Sequence, residues 1–280
     1  MSHKPVLLDQ VIYYLKVKNG GFYIDCTFGL GGHSEYVLRQ GGKVLGIEWD
    51  EDIYKKAVIK YKPFLDKNLW LVNKNFSEIE SIAKEFRFYS VDGVLFDLGI
   101  SMEQIEKSGR GFSFKKLDEP LDLRINKKIK IKAADYLNFC SKDELYEIFA
   151  KNSEVFNFKS IVDEIIIKRK LRPIKKVGDL VSIIKEILRH KQEKTYRQIW
   201  QGLRIVVNNE LENLKKGLEG AKKILKKRGR ILVITFHSLE DRLVKKFVNE
   251  NNLCFLTKKP VISLSKKKFE RSAKLRVIVF

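Results

Sequence analysis

Three acidic residues, Asp25, Glu48 and Asp97, each end a short apolar stretch of the chain. These stretches have the character of β-strands and alternate with helical patterns, which is typical of a parallel, doubly wound sheet. In such a sheet, ligands bind at the edge formed by the carboxyl ends of the strands. The three carboxylates are therefore the first candidates for a binding and catalytic site.

A glycine-rich turn follows the first of these strands, with glycine at positions 29, 31 and 32. Glycines there let the backbone approach a ligand closely. Glu48 comes 19 residues after Gly29, at the end of the second strand. An acid in that place can accept hydrogen bonds from both ribose hydroxyls of an adenosine. The turn and the acid together predict a site for a nucleoside cofactor.

Asp25 distinguishes two cofactors that use this architecture. NAD would place a pyrophosphate at the glycine turn, where a carboxylate would repel it. S-adenosylmethionine would bring an ammonium and a sulfonium, and a carboxylate attracts both of these positive charges. Asp25 therefore favours S-adenosylmethionine. Asp25 could instead only end its strand and cap the turn. His33 could contact the ligand or cap the next helix, and Phe28 and Phe76 could line the site or pack in the core.

The pattern of elements divides the chain into a sheet region and a helical insertion. Apolar spacing of three and four residues predicts the helices of the insertion. The predicted strands are residues 22–25, 43–48, 69–72, 91–97 and 229–236, with an antiparallel pair at 253–257 and 275–280. The predicted helices are residues 34–40, 52–61, 127–139, 141–151, 159–170, 177–190, 208–226 and 239–249. We therefore expect an α/β fold with a Rossmann-like sheet, mostly parallel and antiparallel at the end, and an inserted all-helical domain.

The composition indicates a globular protein with a polyanionic partner. The 280 residues carry a formal net charge of +21, and 44% are hydrophobic. No apolar run approaches the ~20 residues that span a bilayer, and the first ten residues lack an export pattern, so we expect a cytoplasmic protein. The charge favours a polyanion, either nucleic acid or an anionic membrane surface, although a lysine-rich coding bias would also produce it. The three cysteines are far apart, so we expect neither a disulfide framework nor a zinc site, and no metal cluster is apparent.

Many segments, in order, make the chain similar to a known family. It resembles the bacterial 16S ribosomal RNA cytosine-N4 methyltransferases over nearly its whole length. The segments are residues 3–8 (HKPVLL), the glycine turn, 97–101 (DLGIS), 110–114 (RGFSF), 120–122 (PLD), 201–205 (QGLRI), Asn208, 210–211 (EL), 236–242 (FHSLEDR) and 271–276 (RSAKLR).

The change of pattern along the chain predicts a methyltransferase domain at residues 1–104 and 208–280, with an inserted helical substrate-recognition domain at residues 105–207. The resemblance implies S-adenosylmethionine-dependent N4-methylation of a specific cytosine in the decoding region of 16S rRNA. The rRNA would be met within the assembled or nearly assembled small ribosomal subunit. Carried over residue by residue, the cofactor contacts are Gly31, Gly32, His33, Glu48, Phe76, Asp97 and Gln104, to which the reasoning above adds Asp25.

The chain departs from the family pattern at several positions. Leu30 replaces a common glycine, and Glu48 stands where the family usually has Asp, so the ribose contact must accommodate one more methylene. The segment before Trp200 lacks the family's Pro-Ala-Thr-Arg, and the Asn-Pro-Arg before Arg271 is absent. The last two changes concern substrate contacts more than the fold.

Asp97 is the candidate for chemistry at the base. The lone pair of the cytosine amine is delocalised into the ring, and an acceptor aimed at its N–H can hold it in the reacting geometry. A carboxylate also offsets the charge that develops on nitrogen and can assist proton loss. Asp97 could instead only bind the cofactor. His237 and Ser238 follow a strand at the same edge and could contact the base or the RNA, while Ser238 could cap the next helix, with Asp241 in its first turn.

Basic residues are the candidate RNA contacts, on the hypothesis that the insertion forms a lid and RNA platform over the cofactor. They could instead belong to solvated helix faces. The candidates are Arg110, Lys168, Arg169, Lys170, Arg204, Arg242, Arg271 and Lys274, with the segment 266–268 as a further basic surface. Two other functions stay open from the sequence: an amino-methyltransferase acting on DNA, and a ribosome-assembly factor that binds RNA and cofactor without catalysis.

Overall fold

The computed structural model of the protein describes residues 5–156, 158–188, 193–263 and 270–279. The basic segment 266–268, residues 3 and 4 of the first family segment, residues 189 and 190 of the helix predicted at 177–190, and residue 280 of the last predicted strand lie outside the described residues. The chain divides into two compact units, residues 1–99 with 211–280 and residues 100–210. The sequence predicted divisions at 104/105 and 207/208.

All named strands of the described residues form one sheet in the first unit. They are β1 (Phe22–Asp25), β2 (Lys43–Ile47), β3 (Leu69–Val72), β4 (Val91–Asp97), β5 (Leu225–Thr235), β6 (Cys254–Phe255), β7 (Val261–Ile262) and β8 (Lys274–Val279). The order is β3-β2-β1-β4-β5-β8-β6, and β7 also pairs with β8. Strands β1 to β5 pair in parallel, whereas β8 is antiparallel to β5, β6 and β7. The predicted fold class is therefore confirmed, with β7 as an addition.

Helices cover both faces of the sheet. The helices with residues in this unit are α1 (Leu8–Leu15), α2 (Gly32–Arg39), α3 (Glu51–Tyr61), α4 (Ile79–Glu85), α11 (Glu210–Ile224) and α12 (Ser238–Glu250). Side chains alternate between the faces of a strand, so Val94 and Phe96 pack with α4, α11 and α12, whereas Leu95 packs with α1, α2 and α3. Because both faces of the sheet are buried, the strand segments within the core, such as residues 94–96 of β4 and 231–234 of β5, are continuously apolar.

The second unit is built from helices around its own apolar core. They are α5 (Met102–Lys107), α6 (Ala133–Phe139), α7 (Lys142–Asn152), α8 (Phe158–Leu171), α9 (Val177–Ile187) and α10 (Glu193–Asn208). Leu137, Phe149, Ile165, Ile184 and Leu203 are buried together in this core. Among the described residues of the whole chain, none of the helices has the length and apolar character that crossing a membrane requires.

Two predicted helices differ from the structure. The helix predicted at 127–139 begins only at Ala133, because residues 127–132 form a turn and an extended segment. The helix predicted at 208–226 ends at Ile224 and is separated from α10 by Asn209, which has φ +50°. Asparagine tolerates this left-handed conformation better than most residues, and it breaks the helical ladder there. Helices α1, α4, α5 and α10 were not predicted.

Candidate active site

The glycine turn is tied to its neighbours on both sides. Gly31 caps α2 with φ +77°, and a Cβ at this position would lie 2.5 Å from the ring of Tyr61 on α3. The main-chain N–H of Gly29 donates to Oε2 of Glu48, 2.8 Å away. Lys60 Nζ donates to the carbonyl of Leu30 at 2.9 Å. The turn is thus fixed against β2 and α3, and Leu30 fits in place of the family's glycine with its side chain exposed.

Asp25, at the end of β1, is buried and holds the turn to α2. Its Oδ2 accepts a hydrogen bond of 2.6 Å from Ser34 Oγ, and its Oδ1 accepts one of 3.2 Å from the N–H of Thr27. Burial raises the pKa of Asp25, while the bond from Ser34 opposes this rise. Asp25 therefore caps the turn at the end of its strand, which is the structural role that the sequence left open. Its contact with a cofactor stays a prediction.

Glu48 follows β2 and is buried beside the turn. Besides the bond from Gly29, its Oε1 accepts a hydrogen bond of 2.7 Å from the N–H of Asp50. Each carboxylate oxygen has two lone pairs, so both oxygens retain capacity for one more donor. Burial raises the pKa of Glu48 to about 7, although both main-chain bonds lower it. A ligand with two hydroxyl donors matches this carboxylate.

Affinity for S-adenosylmethionine should therefore rise with pH across neutrality. Ribose hydroxyls donate to the deprotonated form of Glu48, so binding favours loss of its proton, and affinity falls as the pH drops below about 7. We expect a weakening of up to about tenfold per pH unit below that value. Calorimetry from pH 6 to pH 8 measures it, and Glu48→Gln, which does not titrate, should flatten this step. A wild-type affinity that does not change over this range would exclude Glu48 as the hydroxyl acceptor.

Asp97 ends β4, and its carboxylate has a raised pKa and one buried oxygen that accepts no hydrogen bond from the described residues. Its N–H donates to Thr27 Oγ1 at 2.7 Å, which ties the strand end to the turn. Oδ2 lies 3.7 Å from His33 Nδ1, while the buried Oδ1 has no hydrogen-bond partner among the described residues. Burial raises the pKa of Asp97 to about 6, against the opposing effect of His33. Sequence reasoning missed Thr27, and its only signal was a hydroxyl two residues after the first strand.

His33 does not cap α2, because the N-cap is Gly31. Its buried ring instead lies between the main chain and Asp97. Nε2 is 3.0 Å from the carbonyl oxygen of Val6, which can only accept, so Nε2 carries a proton. Nδ1 therefore faces the Asp97 carboxylate, either with a lone pair or with a second proton. The separation of 3.7 Å between Nδ1 and Oδ2 is longer than a hydrogen bond.

His237 caps α12, and Ser238 is the first residue of that helix, so the expectation that Ser238 is the cap was wrong. His237 Nδ1 accepts from the N–H of Glu240 at 3.4 Å, and Nε2 lies 3.1 Å from Glu240 Oε1. Glu240 Oε2 accepts a bond of 2.8 Å from the N–H of Phe236. An imidazole can satisfy a capping position as a hydroxyl does, with a ring nitrogen as the acceptor. His237 is therefore used within its own turn, and a catalytic role for His237 or Ser238 stays a prediction.

The two aromatic candidates differ. Phe28 is 3% exposed and packs edge-on against Tyr61, with the ring centroids 5.5 Å apart. It belongs to the core. Phe76 follows β3, is only partly buried and packs edge-on against Phe96 at 5.5 Å. Phe76 retains the surface that a wall of the cofactor site needs.

Gln104, a predicted cofactor contact, lies in the second unit. Its contact with a cofactor stays a prediction. It is buried in the first turn of α5, where its Oε1 accepts a hydrogen bond of 2.8 Å from the N–H of Ser101. Its own N–H donates to Ser101 Oγ at 3.2 Å, which completes a capping box. This fixes the start of α5.

Several predicted RNA contacts are engaged inside the protein. Arg110 is 5% exposed, and Nη1 donates to the carbonyls of residues 124 and 125. Arg204 makes a two-point contact with Glu210, at 2.8 and 3.1 Å. Lys168 is paired with Glu186 at 2.6 Å. The physical reason is that an arginine fork matches main-chain carbonyls and carboxylates as well as phosphates. By contrast, the side chains of Lys170, Arg242 and Arg271 are exposed, and Lys274 is half-buried.

Arg169 should contribute to stability rather than to RNA affinity. Its Nη1 donates to the carbonyls of Leu137 and Cys140, at 2.8 and 2.6 Å, at the end of α6. Arg169→Gln should lower the free energy of unfolding by about 1–3 kcal/mol, because two half-buried acceptors lose their donor. Urea unfolding measures this, and exposed Lys170→Gln is the matched control. Equal unfolding curves for the two variants would contradict it.

A family profile and individual relatives both match this chain over nearly its full length. The profile described as the MraW methylase family matches residues 1–279. The chain is similar to proteins named ribosomal RNA small subunit methyltransferase H. That of Dictyoglomus thermophilum is 40% identical over 98% of this chain and 95% of its own, and that of Cytophaga hutchinsonii is 39% identical over 95% and 91%. A solved rRNA methylase from Streptococcus thermophilus is 9% identical over 97% and 92%, with a TM-score of 0.44, too low to assign a function.

Proposed function

Since this chain belongs to the MraW methylase family, we propose that it methylates the exocyclic N4 of a specific cytosine in the decoding region of 16S rRNA. The membership confirms the resemblance, the methyltransferase class and S-adenosylmethionine as the methyl donor. The names of the relatives support small-subunit rRNA as the substrate. The base and its position rest on the resemblance and on the chemistry of the site.

One observation supports amine methylation above the others. Asp97, at the carboxyl end of β4, has a buried carboxylate oxygen without a hydrogen-bond partner among the described residues. A buried acceptor in this state is costly unless a donor arrives. The exocyclic amine of cytosine has two N–H donors, and one of them can satisfy Oδ1. The bond to Oδ1 then holds the amine in place through one N–H, and the nitrogen lone pair stays free to attack the methyl group.

The residues present suit the cofactor. Glu48 has capacity for two hydroxyl donors, and the acids Asp25 and Asp97 on neighbouring strands provide the negative field that a cationic ligand favours. When bound, S-adenosylmethionine supplies an electrophilic methyl group on a sulfonium. Glu48 would hold the ribose, and the glycine turn would hold the backbone close to the ligand.

Asp97 acts on the amine in two ways. When S-adenosylmethionine supplies the methyl group, positive charge would develop on N4, and the carboxylate of Asp97 would stabilise it. The surplus proton of N4 then passes to Asp97, which serves as the general base. A pKa of Asp97 near 6 leaves it mostly ionised at neutral pH and still able to accept a proton.

The second unit is the proposed substrate-recognition domain, and the rRNA is met within the assembled or nearly assembled small subunit in the cytoplasm. A base inside folded rRNA must be reached from a surface far larger than the base. Sequence-specific recognition of RNA also acts mainly on unpaired bases. A separate helical unit supplies such a surface.

Transfer of labelled methyl groups by the purified protein tests the proposal. Small subunits lacking the modification should be labelled, with the label on N4 of a single cytosine, while DNA of the same sequence should not. Labelling of DNA alone would favour a DNA amino-methyltransferase. Binding of RNA and S-adenosylmethionine with no transfer to any of these substrates would favour a non-catalytic assembly factor.

A further inference from the structure

Residues 127–132 of the second unit carry lysine at positions 127, 128, 130 and 132, and we call them the basic loop. All four side chains are exposed. The loop begins with a turn in which the N–H of Ile129 donates to the carbonyl of Asn126 at 3.1 Å. It ends extended at Lys132, with φ −92° and ψ 167°. The predicted helix is thus replaced by a loop that displays lysines.

Arg124 holds the loop through hydrogen bonds to its main-chain carbonyls. Its side chain is 15% exposed and makes a two-point contact with Asp122, with bonds of 2.6 and 2.8 Å. The remaining nitrogen, Nη1, donates to the carbonyls of Lys127 and Ile129, at 3.2 and 2.6 Å. One guanidinium therefore holds two carbonyl groups of the turn.

Two further buried side chains complete this support. Arg110 Nη1 donates to the carbonyls of Arg124 and Ile125, at 2.9 and 2.6 Å. Asn126 Oδ1 accepts a bond of 2.8 Å from the N–H of Lys128. The backbone is therefore ordered without a partner, which lowers the entropy lost when a partner binds.

Three of the four lysine charges of the loop, at positions 128, 130 and 132, are not neutralised locally. Lys128, Lys130 and Lys132 form no ion pair with any residue the structure describes. The nearby Asp122 is occupied by Arg124, and Asp135 accepts from the N–H of Lys132 and caps α6. Lys168 differs, because it is paired with Glu164 and Glu186. The basic loop is thus a fixed backbone with three uncompensated ammonium groups.

We propose that the basic loop binds the phosphate backbone of the RNA substrate. This rests on the proposed function, which supplies the class of substrate. Lysine binds phosphate as a point charge, and such contacts position a nucleic acid without reading its bases. Alternate residues of an extended segment lie on the same side, so Lys130 and Lys132 face one strand of RNA together. Arg110 and Arg124 fix the loop, and the lysines make the contact.

The test compares two triple variants of equal charge. Lys128, Lys130 and Lys132 are changed to Gln in one. The control changes Lys159, Lys185 and Lys194, exposed lysines of α8, α9 and α10, to Gln. Binding to transcribed 16S rRNA is measured from 50 to 200 mM salt. The loop variant should bind about 10- to 100-fold more weakly at 0.1 M salt, with the salt slope reduced by roughly 0.7–0.9 per lost phosphate contact.

The control should keep most of the wild-type slope, and both variants should keep wild-type S-adenosylmethionine affinity and unfolding curves, because only exposed side chains change. Changing the three loop lysines to Arg, which keeps the charge, should restore binding. Equal slopes for the loop variant and the control, or for the loop variant and wild type, would overturn the proposal. The binding measurement does not require methyl transfer. A wild-type protein that transfers no methyl group would contradict the proposed function, but the salt slopes would still decide whether the basic loop binds RNA.

Discussion

Replacing Asp97 by Asn should lower kcat by roughly tenfold or more, while S-adenosylmethionine affinity stays within a few-fold of wild type. Asparagine keeps an oxygen that can accept the N–H of the amine, but it loses the negative charge that stabilises the developing cation and the site that takes the proton. Asp97→Ala should abolish transfer. Single-turnover methylation of small subunits separates this loss from product release.

Asp92→Asn is the matched control, because Asp92 is near the opposite end of the same strand and is paired with Lys226. It should keep wild-type kcat. In the wild type, kcat should fall as the pH drops below about 6, where Asp97 becomes protonated. Wild-type turnover by Asp97→Ala would exclude both a catalytic and a cofactor-binding role for this residue.

The second large effect is expected at Glu48. Glu48→Ala should weaken S-adenosylmethionine binding by about 1–3 kcal/mol, because the ribose hydroxyls would be buried without an acceptor. That is roughly a 5- to 150-fold higher Kd. The substitution also removes the acceptor for the N–H groups of Gly29 and Asp50, so the unfolding curve is measured alongside.

Glu51→Ala is the control for charge, because Glu51 is on the first turn of α3, is more than a third exposed and pairs with Lys55. It should leave Kd within about twofold, since an exposed ion pair contributes little. If Glu48→Ala and Glu51→Ala bind S-adenosylmethionine equally well, the ribose is held elsewhere.

Much of the sheet and its acidic edge could be predicted because both depend on local patterns. The second half of β4, residues 94–96, is an apolar run that ends in the charged Asp97, and a strand buried on both faces requires such a run. The glycine turn and Glu48 follow from spacing in the same way. The start of β5 at Leu225 was missed because residues 226–228, two lysines and an arginine, resemble a helix end.

The roles of the basic residues could not be predicted from the sequence. Arg110, Arg169 and Arg204 have the same side chain as a surface arginine, and only the tertiary structure brings carbonyls or a carboxylate to them. His33 was equally open, because its partners are the distant carbonyl of Val6 and Asp97. Composition establishes the charge of this protein, whereas the position of the charge depends on the fold.

The most direct test of the proposed function is mass spectrometry of 16S rRNA from cells with and without the gene for this protein. The account predicts one cytosine of the decoding region that carries a methyl group on N4 only when the gene is present, and loses it when Asp97→Ala replaces the wild type. A decoding region with the same modifications in both strains, or a methyl group that differs but is on carbon 5 of the base, would contradict it.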